Sequence, residues 1–100
     1  MLTFIVHHWC RPACIADARR RIDQNAADMA GRPGFVMRQR LERPEDPLLV
    51  TTLTTWADEA SYAAWQQYKK SRDDQSGGKP DFYEKIVTER FYVRAGGSKA

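Results

Sequence analysis

The stretch TTLTTWADEASYAAW, residues 51–65, decides the fold of this chain of 100 residues. Its first half is rich in threonine, a β-branched residue that favours strands. Its second half begins with two acids, which suit the start of a helix. Trp56, Tyr62 and Trp65 surround this strand-to-helix corner. Large aromatic side chains with polar tips can line a pocket for a flat organic molecule, or they can pack as ordinary core.

The composition predicts one globular domain, because 42% of the residues are hydrophobic and 29% are charged. We expect this domain to span residues 1–94 and residues 95–100 to form a flexible C-terminal tail. The net charge is +3, and acids accompany each basic cluster, which argues against nucleic-acid binding. No apolar run reaches the ~18 residues that cross a membrane, and the apolar start is too short for a signal peptide. We therefore expect a cytoplasmic protein that does not bind membranes.

Hydrophobic periodicity and turn residues predict four strands and two helices. In chain order they are a strand over 2–10, a helix from Pro12 to Gly31 or Gly34, strands over 35–43 and 48–56, a helix from an Asp58 N-cap, and a strand over 83–94. This order predicts an α+β fold of the ferredoxin-like split βαβ type (βαββαβ). A four-stranded antiparallel sheet would carry both helices on one face.

The second face of this sheet needs a partner of its own. The first strand is apolar on both faces, with Phe4 and Val6 pointing one way and Ile5 and Trp9 the other. Two helices can cover only one face, and an exposed apolar face is usually an interface. A second copy related by twofold symmetry is the simplest cover. We predict a homodimer packed sheet to sheet.

Three short motifs carry a family resemblance. They are RPGF at 32–35, TTW at 54–56 and DEASY at 58–62. With them the chain resembles the antibiotic biosynthesis monooxygenase superfamily of small dimeric ferredoxin-like proteins, over about residues 2–94. The resemblance implies the same fold, a dimeric barrel and a pocket between each sheet and its helices.

One branch of the superfamily consists of cofactor-independent, quinone-forming monooxygenases. Trp56 and Tyr62 match a tryptophan and a tyrosine of that branch, while Thr52 stands in place of an asparagine. Threonine can donate one hydrogen bond, whereas an amide offers two. The resemblance implies oxygenation of an aromatic or polyketide-like small molecule by dioxygen, with no cofactor and no metal.

A second branch degrades haem, which makes a haem-binding or haem-degrading monooxygenase the alternative. Trp65 matches a helix tryptophan of that branch, His7 stands in place of a strand asparagine, and Gln75 stands in place of the iron-ligating histidine. Glutamine is not a usual haem ligand. A third alternative is a dimer that binds a small molecule without turnover.

Candidate site residues follow from the resemblance. The catalytic candidates are His7 as a base, with Trp56 and Tyr62 orienting the ring; the substrate-binding candidates are Thr52, Trp65, Trp9 and Tyr68. His7 and His8 are adjacent on a strand and must point to opposite faces. By analogy with the family, His7 belongs on the pocket face and His8 on the dimer face. Each histidine can also be purely structural, bonded to backbone or water.

The two cysteines do not complete a recognisable metal site. Cys10 and Cys14 lie near His7 and His8, but the chain has no further cysteine or histidine. A disulfide across so short a loop would stabilise little. We expect two small, partly buried thiols.

Overall fold

We analysed a computed structural model, which describes residues 1–96. The elements, in chain order, are β1 (Leu2–Cys10), a 3₁₀ turn (Pro12–Cys14), α1 (Ile15–Met29), β2 (Phe35–Leu41), β3 (Leu49–Trp56), α2 (Glu59–Gln75) and β4 (Tyr83–Tyr92). The predicted order of elements is confirmed. Strands β2 and β4 end two residues earlier than predicted, and of the predicted tail, residues 97–100 lie outside the described residues.

The four strands form one antiparallel sheet in the order β2-β3-β1-β4. The central pair, β1 and β3, aligns Phe4 with Thr54 and Ile5 with Leu53. Both helices pack on the face that carries Phe4, because the buried residues of α1 and α2 contact Leu2, Phe4 and Trp56. The fold is the ferredoxin-like split βαβ arrangement that the sequence predicts.

The core between the sheet and the helices has two parts. One consists of Leu2, Phe4, Met29, Trp56 and Trp65. The other consists of Cys10, Ala18, Ile22 and Val50. The first part holds both buried tryptophans at the strand-to-helix corner, and the second lies where α1 crosses the other end of β1 and β3.

The corner between β3 and α2 is held by local hydrogen bonds. Asp58 has an extended backbone and its Oδ1 accepts a 2.8 Å hydrogen bond from the Ser61 amide, which confirms the predicted N-cap. The Ala57 amide donates to the carbonyl of Gly34 at 2.7 Å. Gly34 has φ of +82°, and a Cβ there would overlap Ser61. This fixes where α2 leaves the sheet.

A register shift between Phe35 and Met37 decides which side chains of β2 face the helices. Arg38 pairs with Thr54, so it lies on the helix side, as does Arg40, whose guanidinium binds Asp23 of α1 at 2.7 Å. The apolar Met37 and Leu41 lie on the opposite face of the sheet. The side chains of β2 thus alternate between the two faces, and its two arginines lie on the helix side.

We call the face of the sheet opposite the helices the open face. It presents partly exposed apolar side chains of all four strands: Ile5, Trp9, Met37, Leu41, Leu53, Val87 and Phe91. The sheet-to-sheet homodimer that would cover them stays a prediction. Among residues 1–96, no helix is long and apolar enough to cross a bilayer.

Candidate functional site

A cavity of about 190 Å³ lies between the helix-side face of the sheet and the two helices. Its floor is formed by side chains of β1, β3 and β4, and its walls by α1, α2 and the segment before β4. An apolar cavity of about 150 Å³ is enough to bind benzene. The space is therefore large enough for a small aromatic molecule.

Aromatic side chains form one end of the cavity. Trp56 and Trp65 are 1% and 2% exposed, and their rings stack with centroids 6.3 Å apart. Phe4 and Tyr62 stack at 4.1 Å with an interplanar angle of 17°. The Tyr62 hydroxyl accepts a 2.6 Å hydrogen bond from Gln66 Nε2. These rings give the cavity flat walls that match the faces of an aromatic ligand.

The structure brings four of the predicted site residues together around this cavity. They are Thr52, Trp56, Tyr62 and Trp65. Thr52 is 2% exposed, and its side chain points to the helix side because it shares the face of Trp56. The period-two spacing of β3 and the helical spacing of α2 are sufficient to bring these four residues together.

The predicted faces of the two histidines are wrong. His8 lines the cavity, whereas His7 lies on the open face, opposite Thr51 and Val87. The buried members of β1 are Leu2, Phe4 and Cys10, so even-numbered residues face the helices. The sequence could not decide this, because β1 is apolar on both faces and a shift of one residue exchanges them.

The contacts of His7 occupy both ring nitrogens. Nδ1 is 3.0 Å from Thr51 Oγ1 and Nε2 is 2.8 Å from Glu89 Oε1. The ring also packs 5.9 Å from that of Trp9. His7 is therefore a bonded member of the open face, and its predicted role as a base in the pocket has no geometric basis.

His8 has one free ring nitrogen. Its Nδ1 lies 2.9 Å from the Val50 carbonyl oxygen, so Nδ1 carries the proton and donates. Nε2 has no hydrogen-bond partner among residues 1–96. Burial, helped by the nearby charges of Arg38, Lys69 and Lys79 and opposed by the Val50 hydrogen bond, lowers the pKa of His8 to about 4. At neutral pH the cavity therefore contains a neutral imidazole with an available lone pair.

Two other predicted substrate contacts do not line the cavity. Trp9 is on the open face, with Lys85 Nζ 5.1 Å from the ring centroid. Tyr68 is 39% exposed on α2 and packs beside Trp65 and under the guanidinium of Arg32. Each three-residue step on a helix falls about 60° short of a full turn. The two steps from Tyr62 through Trp65 therefore place Tyr68 on the flank of α2 rather than on the face that looks at the sheet.

Two half-buried cations line the cavity, and the sequence did not indicate either of them as a site residue. Arg38 reaches Thr54 Oγ1 at 3.1 Å, and burial lowers its pKa to about 10. Burial, together with nearby positive charges, lowers the pKa of Lys69 to about 8. Neither forms a salt bridge with another of residues 1–96. Neither belongs to a sequence motif: the register of β2 places Arg38 in the cavity, and the packing of α2 places Lys69 there.

A salt-bridge network joins α1 and α2 at the edge of the cavity. Asp73, 7% exposed, binds Arg21, and it is 3.4 Å from Arg72. Arg72 also donates to Asp28 and Asn25, both at 2.6 Å. Asp73 lines the cavity, but its charge is already compensated by this network. It is thus not available to neutralise Arg38 or Lys69.

The remaining candidates do not form a site. Cys10 and Cys14 are free thiols, and residues 1–96 contain no group of three or more His, Cys, Asp or Glu side chains arranged to hold a metal ion. Gln75, at the position of the expected haem ligand, lies exposed at the C-terminal end of α2 and away from the cavity.

The same fold occurs in solved structures of low sequence identity. SnoaB, a cofactor-independent oxygenase from Streptomyces nogalater, has a TM-score of 0.72 and 15% identity, with 95% of this chain and 94% of SnoaB covered. PA3566 from Pseudomonas aeruginosa has a TM-score of 0.76 and 17% identity, with 94% of each chain covered. Rv0793 from Mycobacterium tuberculosis has a TM-score of 0.79 and 10% identity, with 97% and 98% covered. Likeness at these identities shows the fold.

The family is shown by the sequence itself. No curated protein matches the chain, but a family model for antibiotic biosynthesis monooxygenase matches residues 1–73. The match includes β1, α1, β2, β3 and most of α2, and so the elements that carry the aromatic end of the cavity. The chain therefore belongs to the antibiotic biosynthesis monooxygenase family.

Proposed function

We propose that the chain is a cofactor-independent monooxygenase that converts an electron-rich hydroxyarene of one or two rings to a quinone. The observation that carries this proposal is the neutral His8, whose Nε2 is free, in a cavity walled by Phe4, Tyr62 and Trp65. A base beside flat apolar walls is what proton abstraction from a bound phenol needs. Family membership and the likeness to SnoaB, a cofactor-independent oxygenase, support the reaction class.

The volume of the cavity limits the size of the substrate. A space of about 190 Å³ suits one or two fused rings, which is the small end of the aromatic and polyketide-like compounds that the sequence indicated. Pockets for drug-sized ligands usually span ~300–1,000 Å³. We expect naphthols to be turned over faster than three-ring anthrones.

The reaction needs no reduced cofactor because the substrate supplies every electron. His8 Nε2 accepts the phenolic proton, and the phenolate passes one electron to dioxygen. The two radicals then combine at a ring carbon to give a peroxide anion, which takes back the proton from His8 and becomes a hydroperoxide. Loss of water from the hydroperoxide breaks the O–O bond and the ring C–H bond and leaves a quinone carbonyl. One hydroxyarene and one dioxygen thus give one quinone and one water.

The surrounding side chains would position the ring and protect the intermediate. Trp56 and Trp65 are buried and hold the floor and wall of the cavity in place. Tyr62 offers its ring face beside Phe4 and its hydroxyl to a substrate oxygen. Thr52 can add one hydrogen bond from the sheet. The buried aromatic end of the cavity limits the access of water to the radical pair.

The test is oxygen consumption by chelator-treated protein with 1-naphthol under ¹⁸O₂. We expect one dioxygen to be consumed per 1,4-naphthoquinone formed, and the quinone to carry one ¹⁸O atom by mass spectrometry. Heat-denatured protein gives the rate of autoxidation. The proposal is wrong if no hydroxynaphthalene or substituted phenol is consumed faster than this control. Binding of the same compounds without turnover would instead indicate a non-catalytic binding protein.

A further inference from the structure

We infer that the cavity is built for an aromatic acid, with Arg38 and Lys69 binding the carboxylate of the substrate. This inference rests on the proposed function, because it names the class of substrate for the same cavity. The lining of the cavity is mainly positive. Among the described residues, its cations are Arg21, Arg38, Lys69 and Lys79, and its one carboxylate is Asp73.

Arg38 and Lys69 differ from the other two cations of the lining. Arg21 is bound to Asp73, and Lys79 is exposed to solvent. Arg38 and Lys69 are half-buried, and neither forms a salt bridge among residues 1–96. Asp23, the acid whose charge acts on Arg38, is itself held by Arg40 at 2.7 Å. Buried cations are normally paired, because an unpaired buried charge is costly.

The two cations belong to different elements and face the same space. Arg38 comes from β2, and its guanidinium is fixed by Thr54 at 3.1 Å and by Met29 Sδ at 3.6 Å. Lys69 comes from α2, and its charge acts on both Arg38 and His8 across the cavity. A planar guanidinium and an ammonium that converge from two sides match the two oxygens of a carboxylate.

The aromatic end and the cationic end together define the ligand. Phe4 and Tyr62 present stacked faces to a flat ring, while Arg38 and Lys69 present positive charge to an acid group. His8, on β1, lines the same cavity. A ring with a carboxylate fills both ends, whereas a neutral arene leaves two cations desolvated and unpaired.

The binding of two matched probes tests the inference without turnover. By isothermal titration calorimetry of the full chain at pH 7, we expect 2-naphthoate to bind at least roughly tenfold more tightly than 2-naphthamide, which has the same shape without the charge. Arg38→Met and Lys69→Met should each weaken naphthoate binding roughly tenfold and leave naphthamide binding within about twofold.

Two paired cations serve as controls. Arg40, on the same side of β2 but bound to Asp23, and Lys70, next to Lys69 but bound to Asp74 at 2.9 Å, should tolerate methionine without change in either affinity. Arg38→Lys keeps the charge and covers the case in which Arg38→Met fails to fold. Equal affinity for the two probes, equal loss in the control variants, or no binding of either probe would overturn the inference.

The pH profile distinguishes a charge that binds from a side chain that merely fills space. The groups whose charges act on Lys69 are Arg21 of α1, Arg38 of β2, Arg72 of α2 and Lys79 after α2, with Asp73 and His8 also lining the cavity. Since the pKa of Lys69 is about 8, naphthoate affinity should fall as pH rises above 8. Lys69→Met should remove that fall, and a wild-type profile that is flat to pH 9.5 contradicts the inference.

The two proposals can fail separately. If naphthoate binds with the expected preference but no hydroxyarene is oxidised, the acid site stands and the oxygenase proposal falls. If hydroxynaphthalenes are oxidised with the same kcat/KM whether or not they carry a carboxylate, the oxygenase stands and the acid site falls.

Discussion

His7 and His8 are neighbours in sequence and differ in almost every contact. On the open face, both nitrogens of His7 are occupied by Thr51 and Glu89 at 3.0 and 2.8 Å. On the helix side, His8 has one bond, to the Val50 carbonyl at 2.9 Å, and a free Nε2. The same residue type is therefore a structural element on one face of the sheet and a candidate base on the other.

The difference between the two faces extends beyond the histidines. The open face presents partly exposed apolar side chains, and between them Thr3 bonds to Thr55 and His7 bonds to Thr51 and Glu89. The helix side buries the large aromatic residues. Among residues 1–96 it leaves Arg38 and Lys69 without a salt-bridge partner and His8 Nε2 without a hydrogen-bond partner. Unpaired polar groups in a partly enclosed cavity are typical of a site that is completed by a ligand.

The largest difference between the two faces should be in stability, when one tryptophan of each face is truncated to alanine. We expect Trp56→Ala to lower the free energy of unfolding by about 3–5 kcal/mol, since the side chain is 1% exposed within the core. Trp9→Ala, on the half-buried open face, should lower it by only about 1 kcal/mol. Urea denaturation followed by circular dichroism measures both. Equal losses would mean that the open face is as well packed as the core.

The histidine pair gives the next largest difference. We expect His8→Gln to lower kcat for 1-naphthol by about 100-fold or more, because general bases typically contribute that much. His7→Gln, the matched control, should retain kcat within about threefold, because its ring does not reach the cavity. Both rates come from the oxygen electrode. If the His7 variant loses activity and the His8 variant keeps it, the assignment of the base is reversed.

One charged substitution on the apolar open face should dissociate the predicted homodimer. We expect the wild-type protein to have twice the mass of the 11.5 kDa chain in sedimentation at micromolar concentration. Leu53→Lys, at the centre of the open face, should give the monomer mass, whereas Ala63→Lys, exposed on α2, should not change the mass. A monomeric wild-type protein would show that the open face is not a homodimer interface.

The smallest expected effect is the pH dependence of stability that Lys69, on the helix side, contributes. Burial lowers the pKa of Lys69 from 10.5 to about 8, so its charged form destabilises the folded state at neutral pH. Because the unfolded chain binds the proton more tightly, the contribution of Lys69 to stability improves as pH rises from 8 towards 10.5, by about 1–2 kcal/mol.

Comparison with the Lys69→Met variant isolates the contribution of Lys69 to stability. Cys10, whose pKa burial raises, has the opposite pH dependence in the same range. The quantity to measure is therefore the stability difference between wild type and Lys69→Met by urea denaturation. Lys69→Met should be the more stable protein at pH 7, and its advantage should shrink by pH 10. An advantage that does not change with pH would mean that the ammonium is not desolvated.

The sequence predicted the order of strands and helices along the chain and the aromatic corner, because these depend on local pattern. A few neighbouring residues are sufficient to predict each feature: the threonines of β3, the Asp58 cap, and the helical spacing from Tyr62 to Trp65. The face of β1 did not follow from local pattern. With apolar residues on both sides, the choice between His7 and His8 depends on which side α1 and α2 cover.

The sequence by itself determined the split βαβ order, the family and the cluster of Thr52, Trp56, Tyr62 and Trp65, because strand and helix periods fix which of these share a face. Only the tertiary structure decided that His8 rather than His7 lines the cavity. It also decided that Arg38 and Lys69 meet there, although β2 and α2 are separate in sequence. The physical reason is that the register shift in β2 and the packing of both helices on one face are set by long-range contacts.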